Sequence, residues 1–307
     1  MNAHRIPRTS KLSPQGRVAL RRPLLLVATD GSPASQSAYA AAQLIAEKRG
    51  ARVHVLSVIE PIPPIIPPPG TAVLMPSIDR EREDAIRIDM VEQLMKLGRL
   101  SQWTTEIRAG KAAAVIAEVA KERHVDMVII GANHHGIVDR LLGGETATNL
   151  VRVIDRPVLI ASSQMTRLPK RVAVAFELGH FDREELVVSL VTLGSPESIS
   201  VVHVEPQSIA LGIDWAEFDS EYRSEIEEGF AEVSEALRAL PKAQPELVVL
   251  HGDVAREISV FATSVTAELV VLGVKPRNPR SLARSGGTAM KIARELSCSV
   301  LLVPKPA

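Results

Sequence analysis

The residues best suited to chemistry in this chain are glycines. Gly110, Gly131 and Gly144 recur as Gly252, Gly273 and Gly286, with steps of 21 and 13 residues in both sets and a constant offset of 142. Gly131 and Gly273 each close a short, β-branched apolar run, MVIIG and LVVLG, so a strand delivers the chain into a turn sized for a ligand. From Gly273 to Lys291 the second set carries Lys275, Arg277, Arg280, Arg284 and Lys291 with no acid, and passes through Ser285, Gly286, Gly287 and Thr288 at an expected helix start. Exposed amides and the partial positive charge of a helix N-terminus suit a phosphate or another anion. A solvated basic surface loop with a glycine helix start has the same composition, and both readings stand at this point.

Other constellations are structural in character. His134 and His135 are adjacent, and no cysteine or carboxylate spacing joins them into a metal site. Asp139 and Arg140 suit local loop bonds or solvent pairing. Asp182, Glu184 and Glu185 read as an N-cap with acids in a first helical turn. His203 lies inside an apolar strand and is expected to be a satisfied core histidine. Cys298, the single cysteine, is expected to be a small buried hydrophobe. It cannot form an intrachain disulfide, which suits a reducing compartment. Neither a GxSxG elbow nor a GxxxxGK[ST] loop is present, so hydrolase and P-loop readings lack support.

The elements that must position the glycines alternate between strand and helix, and the repeat means two copies of one unit. In the first half Ser32 and Pro33 are an N-cap and first-turn pair for a helix to Arg49, stopped by Gly50. Pro61 to Pro76 is a proline-rich surface loop beyond the second strand. Helices are expected over Ile78–Leu97, Lys111–Arg123 and Thr146–Ile154, with strands over Trp103–Arg108, Val125–Ile130 and Val158–Ala161. The second half repeats the order: strands Val172–Phe176, Ile199–Val204, Glu246–Leu250, Leu269–Leu272 and Val300–Val303, with helices Glu184–Leu193, Trp215–Leu240, Ala255–Thr266 and one beyond Gly287. This predicts a basic tail over 1–22 and two α/β domains over 23–163 and 169–305. Each is a five-stranded parallel sheet with helices on both faces.

Composition supports two folded cores. The chain has 307 residues, 46% of them hydrophobic, with 36 basic and 36 acidic side chains that cancel. No global field favours nucleic acid or an anionic membrane. No stretch has the length of a membrane span and the N-terminus lacks a signal-peptide core, so the cytoplasm is the expected location.

Each half resembles the universal stress protein domain, whose signature is an aspartate ending the first strand and GxxGx9G(S/T) between the fourth strand and the last helix. The resemblance covers Pro23 to Pro304. It implies a Rossmann-like, adenine nucleotide alpha hydrolase-like fold, ATP binding in some members, any magnesium being carried with the nucleotide, and dimerisation through the last strand. In the first half it places Asp30 on the adenosine and the Val58 backbone at adenine, with Gly131 and Gly144 as outer loop positions. His134 stands at the second glycine and Glu145 at the hydroxyl position, with Thr146 one step on. A carboxylate there repels a triphosphate, by about 1 kcal/mol per like charge at about 4 Å in water and more where water is excluded. In the second half Glu177 replaces the aspartate and Val204 matches Val58. Gly273 and Gly286 keep the outer positions, Pro276 replaces the second glycine, Gly287 takes the hydroxyl position with Thr288 beside it, and Lys275 and Arg277 line the loop.

The copies are thus expected to share a fold but not a task, the first keeping the adenine end and the second the anion-friendly end. The leading functional reading is a non-catalytic regulatory or protective module with ATP as the candidate ligand. Pairing of the last strands is expected either between two chains, as a homodimer, or within one chain as a pseudo-dimer. A nucleotide-independent scaffold is the alternative. A slow ATP hydrolase lacks a placed general base.

Overall fold

The computed structural model describes residues 22–32, 34–61, 76–132, 145–176, 182–205, 215–241, 243–274 and 287–305. Residues 1–21 of the basic tail, 62–75 of the proline-rich stretch, both glycine-bearing segments (133–144 and 275–286) and residues 177–181 lie outside the described residues.

The first half runs β1 (Leu24–Thr29), α1 (Ser35–Arg49), β2 (Arg52–Ile59), α2 (Pro76–Lys96), β3 (Thr104–Ala109), α3 (Ala112–Glu122), β4 (Met127–Gly131), α4 (Glu145–Val153) and β5 (Val158–Ala161). The second follows as β6 (Arg171–Ala175), α5 (Arg183–Thr192), β7 (Ser198–Glu205), α6 (Trp215–Leu237), β8 (Pro245–His251), α7 (Val254–Ser264), β9 (Leu269–Val274), α8 (Gly287–Glu295) and β10 (Ser299–Pro304). Among the described residues each half therefore has five strands and four helices in strict alternation.

All ten strands join one sheet in the order β3-β2-β1-β4-β5-β10-β9-β6-β7-β8. Within each half the pairs are parallel, and the halves meet where β10 runs antiparallel to β5, with Leu301 opposite Leu159. Ser162 clamps the seam: its N–H donates to Ser299 Oγ at 3.1 Å and its hydroxyl to the Ser297 carbonyl at 2.6 Å. The two closing strands thus pair within the chain.

Strands covered on both faces must be apolar at consecutive positions, and these are. Leu25 enters one core and Leu26 the other; Val271 and Val270, and Leu301 and Leu302, divide in the same way. One core combines α1 and α5 residues such as Ile45 and Leu186. The other combines Leu150 of α4 with Met290 of α8. Each core therefore crosses the seam between the halves.

The repeated glycines at the ends of β3 and β8 have a common cause. Gly110 and Gly252 sit at φ of 145° and 138°, a region that disfavours side chains, and each N–H donates back to the neighbouring strand, at Ile59 and Glu205. The start of α1 differs from the sequence expectation. It begins at Ser35, and Ser32 does not cap it; the N-cap position is Ala34 and no side chain caps there. The Asp30 carboxylate accepts from the Ser32 N–H at 3.0 Å and the Thr29 hydroxyl from the Gly31 N–H at 3.2 Å, so local side-chain bonds hold a turn before the helix can start. Asp182 does cap α5, accepting from the Glu185 N–H at 3.0 Å.

Candidate functional site

In open α/β sheets, ligands bind beyond the carboxyl ends of the strands. Both halves have a pocket there. In the first, the ends of β1, β2 and β4 and the starts of α1 and α4 bring Asp30, Ser32, Ala34, Val58, Gly131 and Thr146 around one cavity. Four residues singled out from sequence, Asp30, Val58, Gly131 and Thr146, are therefore neighbours. Glu145 opens α4 beside them. His134 and Gly144 lie outside the described residues.

This first cavity has a volume of only about 40 Å³. That is room for a few waters, a water needing about 10–15 Å³ on such a measure. The N-terminus of α1 is the closing element. A Cβ added to Gly131 would lie 1.9 Å from the Ala34 carbonyl oxygen and 2.5 Å from its carbon. Glycine at 131 thus has a packing reason that sequence reading did not supply: the helix start rests on it. The Asp30 carboxylate is turned onto its own loop through the Ser32 N–H.

The second pocket occupies the matching position and is roomier, at about 370 Å³, within the usual range for small-molecule sites of roughly 300–1,000 Å³. Val204 at the end of β7, Gly273 in β9 and Thr288 in α8 line it, as sequence matching places them, and Phe176, His203 and Tyr222 complete its wall. Gly287 opens α8 with nothing within 4 Å of an added Cβ, so a side chain is accommodated there. Glu177, Lys275, Arg277 and Gly286 lie outside the described residues.

The aromatic wall was not legible as a site. His203 is buried and satisfied, as a core histidine should be, yet it also faces the pocket. Its Nδ1 lies 3.1 Å from the Phe176 carbonyl, which can only accept, so the ring proton sits on Nδ1. Nε2 is then an acceptor, and the Tyr222 hydroxyl donates to it with the oxygen 2.9 Å away. Phe176 meets the imidazole edge to face, with ring centroids 6.1 Å apart, and the Tyr222 ring lies 5.9 Å from the imidazole. Burial, with the nearby carboxylates of Glu205 and Glu225, raises the Tyr222 pKa and keeps it a donor. The signal available in sequence was weak, because Tyr222 comes from a charge-rich helix 19 residues away.

Among the described residues no group of three or more His, Cys, Asp or Glu is placed to hold a metal. No described helix is long and apolar enough to cross a membrane.

A duplicated, doubly wound α/β unit with a pocket beyond the strand ends of each copy defines the class: a tandem Rossmann-like protein. The family model for the universal stress protein family matches residues 24–162 and again 185–304, and the chain belongs to that family. A universal stress protein of Thermus aquaticus is 26% identical over 136 residues, which is 44% of this chain and 96% of that protein. One of Mycobacterium tuberculosis is 28% identical over 152 residues, 44% of this chain and 47% of that protein. The match spans about half the length of such mycobacterial relatives. The crystal structure of a universal stress protein from Archaeoglobus fulgidus superposes with a TM-score of 0.62 at 16% identity, covering 92% of this chain and 96% of that one. A functionally unknown protein of Pseudomonas aeruginosa superposes at 0.60 with 18% identity, covering 94% and 95%. These two likenesses concern the fold.

Proposed function

We propose that the chain is a non-catalytic regulatory module that binds an adenine nucleotide in its second half. The observation that carries this reading is the inequality of the two pockets, about 370 Å³ against about 40 Å³. The base and ribose would lie among Val204, Phe176 and Gly273. Thr288 at the start of α8 would meet the phosphates, and the cations Lys275 and Arg277, which follow β9 in the sequence, are the candidates to join it. The sequence reading puts the adenine end in the first half; the present proposal differs, in that Asp30, hydrogen-bonded to the Ser32 N–H, would serve its own turn and the first half would be the structural partner of the second. We assign the functional units to 23–163 and 169–305, acting as an intrachain pair in the cytoplasm.

No described carboxylate or histidine in the second pocket is placed as a general base, since the His203 Nε2 lone pair is already taken by Tyr222. The module would therefore respond to nucleotide by holding it. A thermal-shift titration of the whole chain with ATP, ADP and AMP tests binding; no shift at millimolar nucleotide refutes it. Phosphate release from ATP above buffer background would refute the non-catalytic part.

A further inference from the structure

A third cavity, of about 520 Å³, opens at the other end of the second half, where β6, β9 and β10 begin. It lies between the segment linking the halves, the end of α7 and the turn from α8 into β10. Met165 and Leu296, both buried, form an apolar floor, and the rim carries Arg167, Arg171, Glu268 and Cys298.

The charges at this rim are arranged unevenly. Glu268 is held on both oxygens by protein donors: Oε2 accepts the N–H groups of Lys170 at 2.6 Å and Arg171 at 3.1 Å, and Oε1 accepts from the guanidiniums of Arg167 and Arg171. Partial burial opposes its charge, but the hydrogen bond from Arg167 and the two backbone donors outweigh this and hold its pKa below the usual value. Two guanidiniums therefore face one carboxylate whose bonding is complete. Each guanidinium has five N–H donors. Arg167 directs Nε and Nη2 at Glu268, while Arg171 directs Nη2 at Glu268 and Nε at the Thr266 carbonyl, 2.9 Å away. The remaining donors of both belong to a partly exposed, preset pair with one positive charge in excess. Burial pushes the Cys298 thiol up to about 11, so it contributes no negative charge.

We propose that this cleft is a separate ligand site, taking a small organic anion whose carboxylate or phosphate monoester bridges Arg167 and Arg171 and whose apolar body rests on Met165 and Leu296. It is distinct from the nucleotide pocket, which lies at the opposite ends of the same strands. Occupancy would bear on the linker that joins the halves.

The site is tested by calorimetric titration of the full chain at constant ionic strength with phenyl phosphate, benzoate or inorganic phosphate. Saturable binding of phenyl phosphate or benzoate in about the millimolar range is expected, and which of the two binds more tightly separates the phosphate from the carboxylate ligand. Arg167→Gln, at an exposed position, should weaken binding about ten-fold or more, the usual effect of losing a hydrogen bond to a charged group. Val204→Trp, in the other pocket, should leave it unchanged. No binding of either compound, or equal binding in Arg167→Gln, would overturn the site. Inorganic phosphate binding as tightly as phenyl phosphate would overturn the apolar half of the assignment.

Discussion

Gly131 shows how one residue can be legible in sequence for an incomplete reason. Its place at a strand end before a helix advertised a ligand site, and Gly131 does line the first pocket. What spacing cannot reveal is that α1 rests on it, because that contact joins residues nearly a hundred positions apart. Gly131→Ala forces a Cβ against the Ala34 carbonyl, and backbone there cannot yield as a flexible side chain would. We expect a loss of about 1–3 kcal/mol in urea unfolding, typical of overpacking. Gly287→Ser, which restores a hydroxyl at the family's hydroxyl position, meets nothing within 4 Å and should change stability by less than about 0.5 kcal/mol. His203 and Tyr222 stayed hidden for a converse reason. A lone histidine in an apolar strand looks the same whether its far side meets core or cavity, and only the fold brings Tyr222 to it.

Among the elements, strand and helix order was readable because the central strands are apolar at consecutive positions and the helices are punctuated by glycine, proline and acids. The ends were less so. Thr29 and Asp30 delay α1, and no propensity argument foretells that a side chain will hold a turn against a good helix start. α5 carries a further consequence of its position. Burial, together with the charge of Asp182, pushes the Glu185 carboxyl up to about 7 from 4.5. The folded state therefore binds this proton more tightly than the unfolded chain. The associated stability is fully present below about pH 4.5 and is lost as pH rises through 7. Glu106 on β3 works in the opposite sense. Its partial burial opposes ionisation, but hydrogen bonds from Arg108, Arg123 and His54 prevail and hold it at about 2. Its contribution is present above about 4.5 and is lost as pH falls toward 2. Thermal melts of Glu185→Gln should match or exceed wild type above pH 7, with a flatter profile between pH 4.5 and 7. An unchanged slope in that window would contradict the assignment.

At the scale of the molecule, the repeat disclosed two units and left open whether their last strands pair within one chain or between two. Both β5 and β10 are apolar on both faces, so either neighbour would satisfy them. The structure pairs them with each other, and as a result both cores run across the seam. Such continuity predicts one cooperative unfolding transition. The two tryptophans, Trp103 and Trp215, fall one in each half and make this testable. Fluorescence midpoints in urea for Trp103→Phe and Trp215→Phe, each referenced to circular dichroism of the same variant, should coincide with that signal. A reporter that melts separately would show the halves to be independent.

Placing the nucleotide in the second pocket, and not the first, is tested most directly by calorimetric titration of ATP, ADP and AMP into the wild-type chain, Val58→Leu and Val204→Trp, since one further methylene narrows the small first cavity and a tryptophan fills the second. One site per chain is expected, retained in Val58→Leu and abolished in Val204→Trp. Binding that survives Val204→Trp and vanishes in Val58→Leu would contradict it.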